Sequence, residues 1–217
     1  MLLYYITDRR AFPGTDPERR SALLRRIAEA ARANVDYIQL REKDLSAREL
    51  ELLAQEAVCA VRDNSQSTKL LINSRTDIAL ACDADGVHLP ADDLPPSEVR
   101  AIWMKCSSRQ PLIGVSAHSI AEVRLAESHG ANFVVLAPIF EKPQTAAPAL
   151  GLEVLREACS ELKDGACFSI LALGGVALNN APDCLTAGAS GVAGIRLFQT
   201  GSVPDTVRRL RALTPRR

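Results

Sequence analysis

No apolar run in this chain approaches the roughly 20 residues that a helix needs to cross a bilayer. The amino terminus, Met1-Leu-Leu-Tyr-Tyr-Ile-Thr-Asp8, turns polar too early for a signal peptide and lacks a basic start. Net charge is absent as well: 26 lysines and arginines balance 26 aspartates and glutamates. That balance gives no general field for nucleic acid or an anionic membrane, so an anionic ligand must be held by local charges. The cysteines (Cys59, Cys82, Cys106, Cys159, Cys167 and Cys184) contain no C-x-x-C pair. Scattered through apolar segments, they read as buried reduced thiols rather than disulfides or zinc ligands, which places the chain in the cytoplasm. There is no G-x-S-x-G nucleophile elbow. Nor does a G-x-G-x-x-G follow the first apolar run, which weakens a dinucleotide-binding reading.

What is present is a repeat. Eight short runs rich in β-branched residues or leucine end in polar residues and give way to helix-like stretches. They are Leu2–Thr7, Tyr37–Leu40, Leu70–Asn73, Gly86–Leu89, Leu112–Ser116, Phe133–Ala137, Ser169–Leu173 and Gly191–Ile195. Between them, Leu23, Leu24, Ile27, Ala30 and Ala31 form an apolar stripe within a helix over 16–34, and Ser46-Ala-Arg-Glu49 has the pattern of a capping box. Strands alternating with helices pair in parallel. Over 217 residues, eight units fit a single (β/α)₈ TIM barrel across 1–217, whose usual size is about 250 residues. A doubly wound open sheet is the alternative, because strand order is not readable from spacing. In either architecture the carboxyl ends of the strands share one face, where ligands bind.

The residues at those ends suit phosphate chemistry. Gln39-Leu-Arg41-Glu42-Lys43 puts an amide, a guanidinium fork and an ammonium in one extended segment, where alternate side chains share a direction. A solvated turn with a surface Arg–Glu pair explains the same residues equally well. Asn73 suits a phosphate oxygen or a metal-bound water, and Arg75 suits an anion or a neighbouring carboxylate. Asp92 and Asp93 could hold Mg²⁺ against a diphosphate or simply cap the following helix. Ser116 and His118 offer a hydroxyl and a group that titrates near neutrality. His88 and His129 read as core and surface. After strands 7 and 8, Gly174, Gly175, Ile195 and Arg196 match the place where barrels seat a phosphate on backbone N–H groups. The loop over 138–150 contains Pro138, Pro143 and Pro148, and its length marks it as functional.

In this order, Tyr37-IQLRE-Lys43, Asn73-SRTDIALACDADGVH-Leu89, Gly114-VSAH-Ser119, Gly130-ANFVVLAPI-Phe140, Gly151-Leu152 and Leu173-GG-Val176 resemble the thiamine phosphate synthase and thiazole tautomerase superfamily. The resemblance covers nearly the whole chain. It implies a transferase that joins hydroxymethylpyrimidine diphosphate to thiazole phosphate, with pyrophosphate leaving before the thiazole nitrogen attacks. It also implies roles. Gln39 and Ser116 would line the pyrimidine site, while Arg41, Lys43, Asn73 and the displaced Lys142 would meet the diphosphate. Asp93, with Asp92 beside it, would hold magnesium; Gly175 and the Ile195–Arg196 backbone would take the thiazole phosphate. Where the family has a second magnesium aspartate, this chain has Ser74; where it has T-x-T-K, this chain has Lys142-Pro-Gln-Thr145; and Pro90 replaces a glycine. A second reading is a thiazole tautomerase with His118 as acid/base, and a third is a thiazole-phosphate binder without turnover. The implied partners are phosphorylated small molecules, with a homo-oligomer left open.

Overall fold

In the computed structural model, residues 1–141, 148–162 and 168–213 are described. Strands β1 (Leu2–Ile6), β2 (Tyr37–Leu40), β3 (Lys69–Asn73), β4 (Gly86–Leu89), β5 (Leu112–Ala117), β6 (Phe133–Leu136), β7 (Ser169–Ala172) and β8 (Gly191–Gly194) follow one another around a closed barrel. Every neighbouring pair is parallel, and β8 closes onto β1 with Leu3 opposite Val192. The open-sheet alternative is thereby excluded. Outside lie α1 (Asp16–Arg32), α2 (Ala47–Arg62), α3 (Thr76–Ala81), α4 (Pro96–Cys106), α5 (Ile120–Ser128), α6 (Gly151–Ser160), α7 (Ala181–Thr186), α8 (Arg196–Gln199) and α9 (Val203–Arg211).

The sequence dictates much of this locally. α1 buries Leu23, Ile27, Ala30 and Ala31, and its capping box runs between Thr15 and Glu18. α2 starts on the expected box, with the Ser46 N–H donating to Glu49 Oε2 at 2.9 Å. Such reciprocal caps satisfy the orphan donors of a first turn and are worth about 1 kcal/mol each. Several strands end a residue earlier than their apolar run. The ladder nonetheless continues there, because Thr7, Ala137 and Leu173 still donate to Gln39, Ala117 and Leu136 at 3.0 Å. α8 and a 3₁₀ turn over Arg9–Ala11 escape sequence reading because one turn shows no periodicity.

Side-chain alternation divides the core in two. Outward-facing Leu3, Tyr5, Ile38, Leu70, Ile72, Val87, Ile113, Val134 and Ile170 pack under the helices. Inward-facing Tyr4, Ile6, Leu71, Phe133, Val135, Leu171 and Ala193 fill the barrel. Rings dominate the interior: Tyr37 stacks on Phe133 at 5.0 Å between centroids, and Tyr4 meets Phe133 edge-on at 5.3 Å. Gly114 makes this possible. A Cβ there would lie 2.3 Å from the Phe133 ring, so the strand must carry a glycine where the ring crosses.

Candidate active site

Above the rings the barrel interior turns polar. The Tyr4 hydroxyl lies 3.1 Å from His88 Nδ1, and His88 Nε2 lies 3.0 Å from Ser116 Oγ. Register explains the line: β4 sits between β3 and β5, with His88 opposite Asn73 on one side and Gly114 on the other. His88 is 3% exposed, and burial, aided by the nearby Arg41 charge, pushes its pKa down to about 3. The ring is therefore neutral, with one nitrogen donating and the other accepting, so both hydrogen bonds run in a single direction. Burial also raises the Tyr4 pKa well above its ordinary value, which keeps its proton in place. Gln39 is 1% exposed, and its amide nitrogen has no hydrogen-bond partner of good geometry, though it lies close enough to Tyr4 to favour the phenolate. Assigning His88 to the core is correct for burial. Its link to Ser116 was missed, although period-two alternation already put both on the inner face.

At the end of β2 the chain leaves the ladder, and the simple alternation of 39, 41 and 43 stops. Gln39 stays inside the barrel, Arg41 is half-buried at the rim and Lys43 is exposed. The surface Arg–Glu pair does not form. Glu42 instead is 5% exposed and accepts from the Thr7 hydroxyl at 2.6 Å and from the Arg9 backbone N–H at 3.0 and 3.1 Å. Arg9 is itself buried and forks onto Asp44 at 2.7 and 3.0 Å, with Asp16 at 3.0 Å and Glu42 at 3.4 Å. Burial pushes the Glu42 carboxyl up against these bonds, while the Arg9 bond holds Asp44 below its usual range. Thr7 Oγ1 also accepts the Arg41 N–H at 2.9 Å, so the same network fixes the Arg41 backbone. Among the described residues, neither the Arg41 nor the Lys43 side chain makes an ion pair. Both line a cleft of about 460 Å³.

The other expected residues divide. Asn73 Nδ2 donates to Ser74 Oγ at 3.0 Å, which leaves the Asn73 amide oxygen available, and Ser74 adopts a left-handed φ of 60°. Arg75 turns to the second of its two expected uses, an exposed fork onto Asp77 at 2.6 and 2.9 Å. Asp92 and Asp93 are exposed on the β4–α4 loop; Asp93 accepts the Leu94 N–H at 2.8 Å and shares a small cavity of about 80 Å³ with Ser116. Among the described residues, no group of three or more His, Cys, Asp or Glu is placed to hold a metal. His118 is exposed; a carbonyl only accepts, so its Nδ1–H donates to Ala137 O at 2.8 Å and Nε2 is left open. Lys142 and Thr145 lie outside the described residues.

On the other flank of β1, a cavity of about 900 Å³ is lined by Gly174, Gly175, Gly194, Ile195 and Arg196. Gly174 and Gly175 take φ of 94° and 67°, and a Cβ on them would lie within 2.6 Å of Pro138 Cα and 2.7 Å of Phe140 Cβ. No side chain larger than hydrogen fits either turn without strain. Asn180 braces the turn, its Nδ2 donating to Gly175 O at 3.0 Å. The 460 and 900 Å³ cavities share Asp8 and Ala11 as a common wall. Cationic and glycine-lined subsites therefore adjoin on one face of the barrel.

A closed parallel barrel with free cations and glycine turns at its strand ends defines a barrel enzyme of phosphorylated small molecules. The chain belongs to the thiamine monophosphate synthase family, whose model matches residues 3–198. It is 38% identical over 197 residues to a putative thiamine-phosphate synthase 2 of Aquifex aeolicus, covering 90% of this chain and 96% of that one. It is 36% identical over 217 residues to a thiamine-phosphate synthase of Syntrophomonas wolfei, covering 99% and 96%. Among solved structures, thiamine phosphate pyrophosphorylase from Pyrococcus furiosus superposes with a TM-score of 0.79 at 29% identity, covering 98% of this chain and 94% of that one. A 3-hexulose-6-phosphate synthase, at 19% identity and a TM-score of 0.69, shares the fold.

Proposed function

We propose that the protein joins hydroxymethylpyrimidine diphosphate to thiazole phosphate, forming thiamine phosphate and releasing pyrophosphate. The observation that carries this reading is the pairing of two subsites across one wall: Arg41 and Lys43, unpaired among the described residues, on one side, and the left-handed glycine turn of Gly174–Gly175 on the other. Two phosphorylated substrates need two anion sites within reach of each other. Among the described residues, no acceptor takes the N–H groups of Gly174, Gly175 or Arg196, so they are available to a phosphate.

The chemistry follows from charge. As the pyrimidine carbon–oxygen bond breaks, negative charge gathers on the leaving diphosphate, and fixed cations at that end stabilise it without reorganising. Arg41 and Lys43 would serve this role, with the Thr7–Glu42 network holding the Arg41 backbone. At the other end, the half-buried Ser116 and the unpartnered Gln39 amide would offer polar atoms to the pyrimidine, with Tyr4 and His88 behind them and the rings below excluding water. The thiazole nitrogen then forms the new bond to the same carbon.

Magnesium fits as a minimal site. Mg²⁺ is commonly held by one or two carboxylates together with substrate phosphates, and Asp93, Asp92 and the open Asn73 amide oxygen supply that donor chemistry. When bound, the metal would neutralise leaving-group charge. Because Ser74 stands where the family has its second magnesium aspartate, the protein's own cations would carry a larger share. Among the described residues no helix is long and apolar enough to cross a membrane, and the described cysteines are free thiols; both accord with action in the cytoplasm.

One observation favours a second reading, tautomerisation of a carboxylated thiazole phosphate. His118 offers an open Nε2, as a proton shuttle requires. Incubating the protein with both precursors and Mg²⁺ decides between the two. Thiamine phosphate with equimolar pyrophosphate supports the synthase. No product, together with turnover of the carboxylated thiazole phosphate that is lost in His118→Ala, overturns it in favour of the tautomerase.

A further inference from the structure

Arg9 and Arg10 are adjacent in sequence and opposite in circumstance. Arg9 is 5% exposed and saturated, with Glu42, Asp44 and Asp16 around its guanidinium. Those bonds consume the two carboxylates of the β2–α2 loop that would otherwise neutralise Arg41 and Lys43. Arg10 follows on the same 3₁₀ turn, which Asp8 caps by accepting the Arg10 backbone N–H at 3.1 Å. Its own side chain is exposed and, among the described residues, makes no hydrogen bond or ion pair within 4 Å; its charge reaches Asp44 only at longer range. Arg10 lines the same 460 Å³ cleft as Arg41 and Lys43.

The cleft thus gathers three cations from two loops, while two of its three acids, Glu42 and Asp44, are engaged by Arg9 and the third, Asp8, accepts the Arg10 backbone N–H. Like charges that share a cleft repel, and a bound anion relieves that repulsion. We propose that Arg10 is a third ligand of the diphosphate, reaching from the β1–α1 loop to phosphate oxygens that leave as pyrophosphate. This rests on the synthase reading for the identity of the ester, but the anion site itself does not. Where the chain has Ser74 in place of an acidic residue, a third guanidinium supplies positive charge from the protein rather than from a metal. Arginine suits this task because its planar fork meets two phosphate oxygens at once.

The test is titration of the full-length protein with inorganic pyrophosphate in magnesium-free buffer, followed by calorimetry. Arg10→Ala should weaken binding at least tenfold and Arg10→Lys by less. Arg25→Ala, which removes the same charge from an exposed position on α1, should leave binding within twofold. Equal binding by Arg10→Ala and the unaltered protein overturns the assignment. So does an equal loss in Arg25→Ala, which would reveal a general charge effect, or an absence of binding by the unaltered protein. Turnover separates this from the synthase reading. If thiamine phosphate forms, Arg10→Ala should raise KM for the pyrimidine diphosphate at least tenfold while KM for the thiazole phosphate stays put. Product formation with both KM values unchanged rejects Arg10 and leaves the reaction standing.

Discussion

Acid should strike this protein first at His88. The imidazole is buried in the barrel with its pKa pushed down to about 3 from an ordinary 6.5. The native state therefore stays unprotonated at a pH where the unfolded chain binds a proton. Since the unfolded state binds more protons, stability rises with pH across this window; it is fully present above 6.5 and is lost progressively as pH falls. At about 1.4 kcal/mol per unit, the whole interval amounts to about 5 kcal/mol, a large part of a typical domain's stability. By pH 5, about 2 kcal/mol should be gone. His88→Gln offers the control, because its amide can accept from Tyr4 and donate to Ser116 without titrating. Urea denaturation of both proteins between about pH 7.5 and 5 isolates the histidine, since the carboxylates are common to both. The stability difference between the two should shift toward the glutamine variant by about 2 kcal/mol over that range. Parallel pH profiles would refute the argument and mean that His88 is solvated or protonated in the folded state.

Other consequences follow from single contacts. Gly114→Ala drives a methyl into the Phe133 ring and should cost about 1–3 kcal/mol, read as a lower urea midpoint; an unchanged midpoint would show that the ring moves freely. Glu42→Ala leaves Arg9 buried with less compensation and should cost about 3–5 kcal/mol, with Glu42→Gln costing less; a loss below about 1 kcal/mol would mean the network is solvated. Ser74→Asp is tolerated by a left-handed backbone, where aspartate is enriched, and should lower the Mg²⁺ concentration for half-maximal activity several-fold; no change would place position 74 away from the metal.

Much of the fold was legible because each strand advertises itself through β-branched or leucine runs buried on both faces, as a parallel barrel requires. Strand closure was not, since β8 reaching β1 is a contact between the two ends of the chain. Among the candidate residues, Gln39, Arg41 and Gly175 stand out in the sequence as polar ends of strands and as a glycine pair. The Arg9–Glu42 bond was hidden because its partners are separated by 33 positions and the local rule pairs Glu42 with Arg41 instead. Arg10 went unnoticed for the same reason: nothing in Asp-Arg-Arg says which arginine is saturated and which faces the cleft. The role of Arg75 turned on Asp77, two residues away, a choice between a bound anion and a carboxylate that spacing alone leaves open.

Steady-state kinetics of Arg41→Ala and Gly175→Ala, with each substrate varied in turn, probes the division of one pocket into two anion sites most directly. Arg41→Ala should raise KM for the pyrimidine diphosphate at least tenfold and spare the thiazole phosphate, while Gly175→Ala should do the reverse. Equal effects of each variant on both substrates, or no effect of either, would contradict it.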